Sequence, residues 1–284
     1  MHLGITAALT DRTVDPASLA RGVEERGFDS LFLPEHTHLP VSESRPPNLV
    51  GGVTLEDYRR TLDPFVGLAA AASVTERIKL GTGVCLVAEH DPIVLAKVVA
   101  TLDHLSGGRV VLGVGFGWNA LEAEAHGVPF AQRREVAADK MRCMEALWSQ
   151  DEAAHVGPFV SLSPSYSWPK PVQRPRVRTL IGGGGGPRTL RAVAEWADGW
   201  MPVGGAGVAE ALPELRRHAQ AVGRDPGELS VVPFGSIPDA GKLEHFHSLG
   251  IDEVVLRLPS GDRDATWRAL DDLATYLPLA GVLG

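Results

Sequence analysis

Short apolar segments alternate with amphipathic ones along the whole chain, and this alternation restricts the folds open to it. Strands are expected at His2–Thr6, Ser30–Leu33, Ile78–Cys85, Arg109–Gly115, Val177–Ile181, Gly199–Met201, Leu229–Pro233 and Glu253–Leu258. Helical stretches fall between them, among them Ala17–Arg26, Leu62–Val74, Ile93–Leu105, Arg133–Trp148, Thr189–Ala197, Val208–Val222, Lys242–Leu249 and Thr266–Leu277. Most of the strands are continuous apolar runs, as a parallel sheet buried on both faces requires. Eight such units in 284 residues predict an α/β chain folded as one (β/α)8 TIM-barrel domain over residues 1–284. Residues 37–62, with Pro40, Pro46, Pro47, Gly51 and Gly52, and residues 150–176, rich in Pro and Ser, break the period. They read as insertions after strand two and before strand five. A Rossmann-type fold competes through Gly113 and Gly115. It fails because Trp118 takes the third glycine position and no strand ending in an acid follows.

The turn after the fifth strand carries five consecutive glycines, Gly182–Gly186, then Pro187 and Arg188. Without Cβ atoms the backbone can approach a ligand closely. Proline suits the first helical turn, and the free N–H groups of that turn attract an anion, most often a phosphate. A plain flexible turn is the competing reading, and five glycines would be an entropically costly way to make one. On a barrel the chemistry sits at the C-terminal ends of the strands. Those ends offer Glu35-His36-Thr37-His38 after strand two, Gly83-Val84-Cys85 after strand three and Gly115-Phe116-Gly117-Trp118-Asn119 after strand four. Small residues on adjacent strand ends imply a broad, flat ligand lying near the backbone, such as a phosphorylated flavin.

Other chemistries find less support. His36 and His38 could share a face and bind zinc, but later strand ends bring no further ligands, so no metal is expected. Glu35 and His36 then read as acid–base or hydrogen-bonding groups lining a pocket, with a solvated loop histidine as the alternative. Asp91 before Pro92 reads as a helix cap beside His90. Cys85 reads as a small wall residue, since no base is adjacent in sequence. His245 and His247 diverge on an outer helix. Net charge is −8 with no basic cluster, which argues against nucleic acid or an anionic membrane as partner. Two cysteines, no leader-like segment and no long apolar run point to a cytoplasmic protein.

Four segments, Phe28–His36 (FDSLFLPEH), Arg77–Lys97, Leu102–Gly127 and Ile181–Pro202, resemble the bacterial luciferase-like family of flavin and deazaflavin barrel enzymes. The branch most similar uses the deazaflavin coenzyme F-420. The resemblance implies an oxidoreductase that passes a hydride between F-420 and a small substrate. It places His36 at the ring system as a catalytic group, tuned by Glu35. The peptide Gly83–Val84, or its neighbour Val84–Cys85, would form a bulge that props the ring, often through a non-prolyl cis bond. Gly115, Gly117 and Asn119 would border the cofactor's polar edge. Gly182, Gly183, Gly184, Gly185, Gly186 and Arg188 would hold its phosphate. The family's sugar-phosphate dehydrogenases carry an acid where this chain has Trp118, so Trp118 and Phe116 imply a more apolar substrate. The same fold could instead hold FMN, as a monooxygenase fed by a separate flavin reductase, or bind a flavin without turnover. Relatives are often homodimers, which gives the expectation here.

Overall fold

The computed structural model describes residues 1–42 and 54–283. Part of the first expected insertion, including Pro46, Pro47, Gly51 and Gly52, lies outside the described residues.

The chain runs β1 (His2–Thr6), α1 (Pro16–Glu25), β2 (Ser30–Leu33), α2 (Leu55–Arg59), α3 (Pro64–Ala72), β3 (Lys79–Thr82), α4 (Pro92–Ser106), β4 (Val110–Val114), α5 (Ala120–Ala125) and α6 (Arg133–Ser149). It continues with β5 (Ala153–Val156), β6 (Ser161–Ser165), β7 (Arg178–Gly182), α7 (Pro187–Trp196), β8 (Gly199–Met201), α8 (Val208–Ala221), β9 (Ser230–Val231), β10 (Phe234–Ser236), α9 (Ala240–Ser248), β11 (Glu253–Arg257), α10 (Arg263–Ala274) and α11 (Leu277–Leu283). Three of the helices, α1, α3 and α4, start with the same chemistry. Asp15, Asp63 and Asp91 accept backbone N–H groups of the first turn, and a proline follows each where no N–H is needed. The cap expected at Asp91 is therefore present, accepting from Ile93 and Val94.

Nine strands form one curled parallel sheet in the order β10-β11-β1-β2-β3-β4-β7-β8-β9. The count differs from the expected eight because Val232 and Pro233 split the seventh unit into β9 and β10. Proline removes a ladder donor, so regular pairing stops there. The two pieces still bond outward: Val232 N–H to Trp200 O, Phe234 N–H to Pro202 O and Val255 N–H to Pro233 O. Successive side chains leave opposite faces of each strand. Leu31 and Leu33 therefore join the larger core between sheet and helices, while Phe32 joins a smaller cluster with Val111, Leu180, Met201, Val232, Phe234 and Val255.

The segment expected as irregular before β7 contains the antiparallel pair β5–β6. Asp139 of α6 ties it down by accepting from Phe159 N–H, Val160 N–H and His155. At the N-terminal strand ends, Arg178 and Lys79 pair with Glu253 beside a cleft of about 460 Å³. That is the face where barrels carry stability rather than chemistry. Among the described residues, no helix is long and apolar enough to cross a membrane.

Candidate active site

At the C-terminal strand ends a cavity of about 380 Å³ opens, bordered by the exits of β2, β3, β4 and β7. Its floor is the turn after β3. Gly83–Val84 is a non-prolyl cis peptide, the first of the two positions expected for the bulge. Cys85 rejoins the sheet by donating its N–H to Gly113 O at 2.6 Å and accepting from Gly115 N–H at 2.8 Å. The Val84 side chain rises between β4 and β7. A Cβ on Gly115 would lie 2.1 Å from Val84 Cγ2, and one on Gly182 would lie 2.6 Å from Val84 Cγ1. Those two glycines make room for the valine, which stands as an apolar knob in the cavity floor.

Behind that floor, Glu35 is 4% exposed and fully engaged. Its Oε2 accepts the Leu86 N–H at 2.6 Å, and its Oε1 meets His90 Nε2 at 2.9 Å. Burial alone would lower the His90 pKa, but the hydrogen bond and charge of Glu35 overcome it and raise it. Cys85 is fully buried and its thiol faces the same pair. Burial and then the Glu35 charge push that thiol well up, so it stays protonated and is no nucleophile. Two expectations are corrected here. Glu35 borders the cavity but does not bond His36, because its two oxygens go to the Leu86 N–H and His90. Cys85 does not wall the cavity, because its side chain lies behind it.

The partner of His36 is Glu122 on α5. His36 Nδ1 lies 2.8 Å and 3.0 Å from the two Glu122 oxygens, and both side chains are buried. Trp118 Nε1 donates to His36 Nε2 at 3.3 Å. An indole N–H can only donate, so Nε2 carries the lone pair and Nδ1 the proton. Trp118 and Tyr58 pack edge-on against the imidazole, with ring centroids 5.6 Å and 5.2 Å away. Asn119 caps α5, its side chain accepting from Leu121 and Glu122 N–H. Asn119 is buried, and through this cap it positions Glu122. A third acid, Glu89, lies nearby with Oε2 buried and without a hydrogen bond, 3.9 Å from His126 Nε2. Burial, then the charges of Glu122 and Glu35, push its pKa up to about 8.

Across the cavity, Gly182 and Gly183 line the wall below the start of α7. Gly183 has a φ of +133°, and hypothetical Cβ atoms on Gly183, Gly184 and Gly186 would meet nothing within 4 Å. Gly185 differs, for it packs on Trp200 and Ala211. Gly186 caps α7 with no side chain, Pro187 carries no N–H, and the Thr189 and Leu190 N–H groups donate to Gly186 O, which leaves the Arg188 N–H as the first-turn donor toward a ligand. Two guanidinium groups line the cavity on this side, and Arg188, exposed on the first turn of α7, lies near enough to act on both. Arg133 stacks on Phe130 and donates to Gly117 O, while Arg134 stacks on Phe116 and reaches Thr189 Oγ1 on α7. Burial lowers both pKa values, and Arg188 lowers them further.

Gly83, Val84, Gly115, Phe116, Gly117 and Trp118 all border the cavity with His36. Sequence reasoning missed Tyr58, Glu122, Arg133 and Arg134. A signal existed for three of them. Thr54-x-x-Asp57 is a capping-box spacing, and it starts the short helix that carries Tyr58. Two arginines opening α6 oppose the helix dipole, so a reason beyond helix stability was needed for them.

The luciferase-like monooxygenase family model matches residues 10–237. A protein of Mycobacterium tuberculosis, described as uncharacterized, is 43% identical over 280 residues, covering 98% of this chain and 96% of that one. Among solved structures, monooxygenase RslO1 from Streptomyces bottropensis superposes with a TM-score of 0.78 at 21% identity, covering 98% of this chain and 99% of its own. Coenzyme F420 dependent tetrahydromethanopterin reductase from Methanopyrus kandleri gives 0.73 at 18% identity, with the same coverage. At those identities the two structures bear on the fold alone. With the family model matched from Thr10 to Ile237, the chain belongs to the luciferase-like monooxygenase family.

Proposed function

We propose that the chain is an oxidoreductase that exchanges a hydride between coenzyme F-420 and a small substrate. Its scaffold reads as a (β/α)8 barrel in which β9 and β10 together make the seventh strand. The observation that carries the proposal is a cavity lined by Arg133 and Arg134 together with Gly182 and Gly183 of the open glycine turn, with Arg188 close by on α7. The side chain of F-420 continues past its phosphate into further anionic groups, which suits three guanidinium groups better than the single terminal phosphate of FMN.

Gly182–Gly186 and the three arginines would hold the phosphate side, and Val84 would support the ring from below. Gly115 and Gly117 would border its polar edge. When bound, the deazaflavin supplies hydride exchange at carbon 5. The protein's part is positioning and proton handling. His36 Nε2 accepts from Trp118 Nε1 at the cavity, and with that indole displaced its lone pair would take a proton from a substrate hydroxyl, or return one. Glu122 holds the ring by Nδ1–H and stabilises the imidazolium that results. Phe116 and Trp118 supply apolar walls that exclude water.

Titration of the purified protein with oxidised F-420, and separately with FMN, tests the proposal through quenching of cofactor fluorescence. Tighter binding of F-420 is the expected result. Preference for FMN would replace the proposal with a monooxygenase served by a separate flavin reductase. Cofactor binding that His36→Ala leaves unchanged, with no hydride exchange, would mark a flavin-binding protein.

A further inference from the structure

Glu89 is a buried acid that neither grips backbone nor meets an imidazole at hydrogen-bond distance. It ends a single 3-10 turn, Val87–Glu89, directly after the cavity floor. Its side chain is 4% exposed, and Oε2 has no hydrogen bond in the fold. Oε1 lies against the cavity lining, since a Cβ on Gly117 would stand 3.3 Å from it. Glu122 and His126 stand one turn apart on α5 and its cap, and so share a face of that helix. Glu89 is set against both. The charge of Glu122 acts on it more strongly than that of Glu35, and His126 Nε2 lies 3.9 Å from its Oε2. It therefore stands between the carboxylate that holds His36 and an imidazole on an exposed residue. Burial and the two acids keep the Glu89 carboxyl protonated. Lys140 of α6 opposes them, but its ammonium donates to Ala88 O and His90 O, each at 2.6 Å. Burial and then the charge of His38 lower the His126 pKa, so an imidazolium formed there gives its proton to water readily. Thr37 Oγ1 holds the ring, 2.7 Å from His126 Nε2.

We infer that Glu89 is a proton relay, linking the Glu122–His36 pair at the cavity to His126 and solvent. A protonated carboxyl can donate and accept at once, as a relay requires. When His36 becomes an imidazolium, its Nδ1 proton passes to Glu122. Glu122 passes a proton to Glu89 as Glu89 hands its own to His126, and His126 releases one to water. One proton enters at His36 Nε2 and one leaves at His126, and both carboxyls end in the state in which they began. Run inward, the route restores Nδ1–H and frees the Nε2 proton for a ligand. The 3.9 Å between Glu89 and His126 is closed by a side-chain rotation or one bridging water. That the proton accompanies a hydride rests on the oxidoreductase reading. The route itself needs no cofactor.

Exchange of the His36 Nδ1 proton with water tests the relay in the protein without cofactor. Nuclear magnetic resonance on protein carrying isotope-labelled histidine reads the exchange rate near neutral pH, and loss of the signal in His36→Gln assigns it. An amide at position 89 cannot pass a proton on, so Glu89→Gln should slow the exchange by about tenfold or more. His126→Ala should slow it to a similar degree, and free imidazole added to the solution should restore the rate. A residue that merely shaped the site would gain nothing from imidazole. An exchange rate unchanged in either variant, or a slowing in His126→Ala that imidazole does not relieve, overturns the inference. Should Glu89→Gln fail to fold, His126→Ala and its rescue decide it. Slowed and rescued exchange in a protein that binds no F-420 removes the hydride reading and leaves the relay standing. F-420 binding with unaltered exchange does the reverse.

Discussion

Glu35 and His36 are neighbours in the chain, and each ends in a carboxylate–imidazole pair of similar length. Glu35 meets His90 at 2.9 Å behind the β3 turn, whereas His36 meets Glu122 at 2.8 Å in front of it. Both residues lie just past the end of β2 and border the same cavity, yet their side chains find different partners. Their remaining partners decide what each can do. Glu35 gives its second oxygen to the Leu86 N–H, which exhausts the pair on holding backbone. His36 keeps one ring nitrogen as an acceptor toward Trp118 and the cavity. The same pairing thus serves as a brace on one side, and on the other it holds the imidazole that we propose handles a proton.

The strongest way to break this comparison is to remove the brace. Glu35→Ala leaves a buried imidazole and a buried backbone N–H without their acceptor, so a loss of about 3–5 kcal/mol is expected. Urea unfolding measures it, as a fall in midpoint at constant slope. Cofactor affinity should fall with it, since the cavity floor is the segment released. A Glu35→Ala protein as stable as the parent would show that the pair behind the turn holds nothing.

In front of the turn, Glu122→Gln should do the opposite. An amide can donate to Nδ1, which moves the ring proton to Nε2 and sets it against the Trp118 N–H. Hydride transfer should slow by about a hundredfold, as for loss of a general acid–base group. The unfolding midpoint should change little. Stopped-flow absorbance of the deazaflavin reads the rate, and an unaltered rate would remove His36 from the chemistry.

How much of this contrast is legible in the sequence follows from how local each element is. The Gly83–Val84 turn, the glycine run and His36 are contiguous with the strands that present them, so strand ends alone locate them. The strand–helix period likewise survives because each apolar run is its own evidence. What escapes is set by distance along the chain. Glu122 lies 86 residues from His36, and nothing in one sequence says which acid meets which imidazole. Adjacency in sequence favoured Glu35 as that partner, and the Leu86 N–H and His90 take both of its oxygens instead. Splitting of the seventh strand escaped for a simpler reason: Pro233 read as a strand end and proved to be a break between two pieces.

Glu89 lies near both acids, and their charges act on it. Its pKa near 8 in the fold exceeds the ordinary 4.5 of an unfolded glutamate. Between those values the folded protein holds a proton that the unfolded chain releases, so stability falls as pH rises from about 4.5 to about 8. Glu89→Gln is neutral at every pH and should abolish that fall, with a gain on the order of 1–3 kcal/mol near pH 8 and none near pH 4. His90, also raised, contributes a loss of the same sign above its usual 6.5, so the variant retains a residual slope there. Melting temperatures across pH 4–9 separate the two. Identical curves for parent and variant would mean that Glu89 is ionised in the fold.

The smallest effect sharpens the comparison from the far wall of the cavity. Arg134→Met keeps the apolar stem over Phe116 and removes only the charge. Arg134 braces no buried backbone and shares its field with Arg133 and Arg188, so the fold should tolerate the change. Cofactor affinity should fall by about tenfold at low salt, the cost of one charge-assisted hydrogen bond. The difference should shrink at higher ionic strength, where the mouth of the cavity is screened. Fluorescence titrations at two salt concentrations read both quantities. A loss of affinity insensitive to salt would mean that Arg134 acts by packing on Phe116, and would move it from the front of the site to its framework.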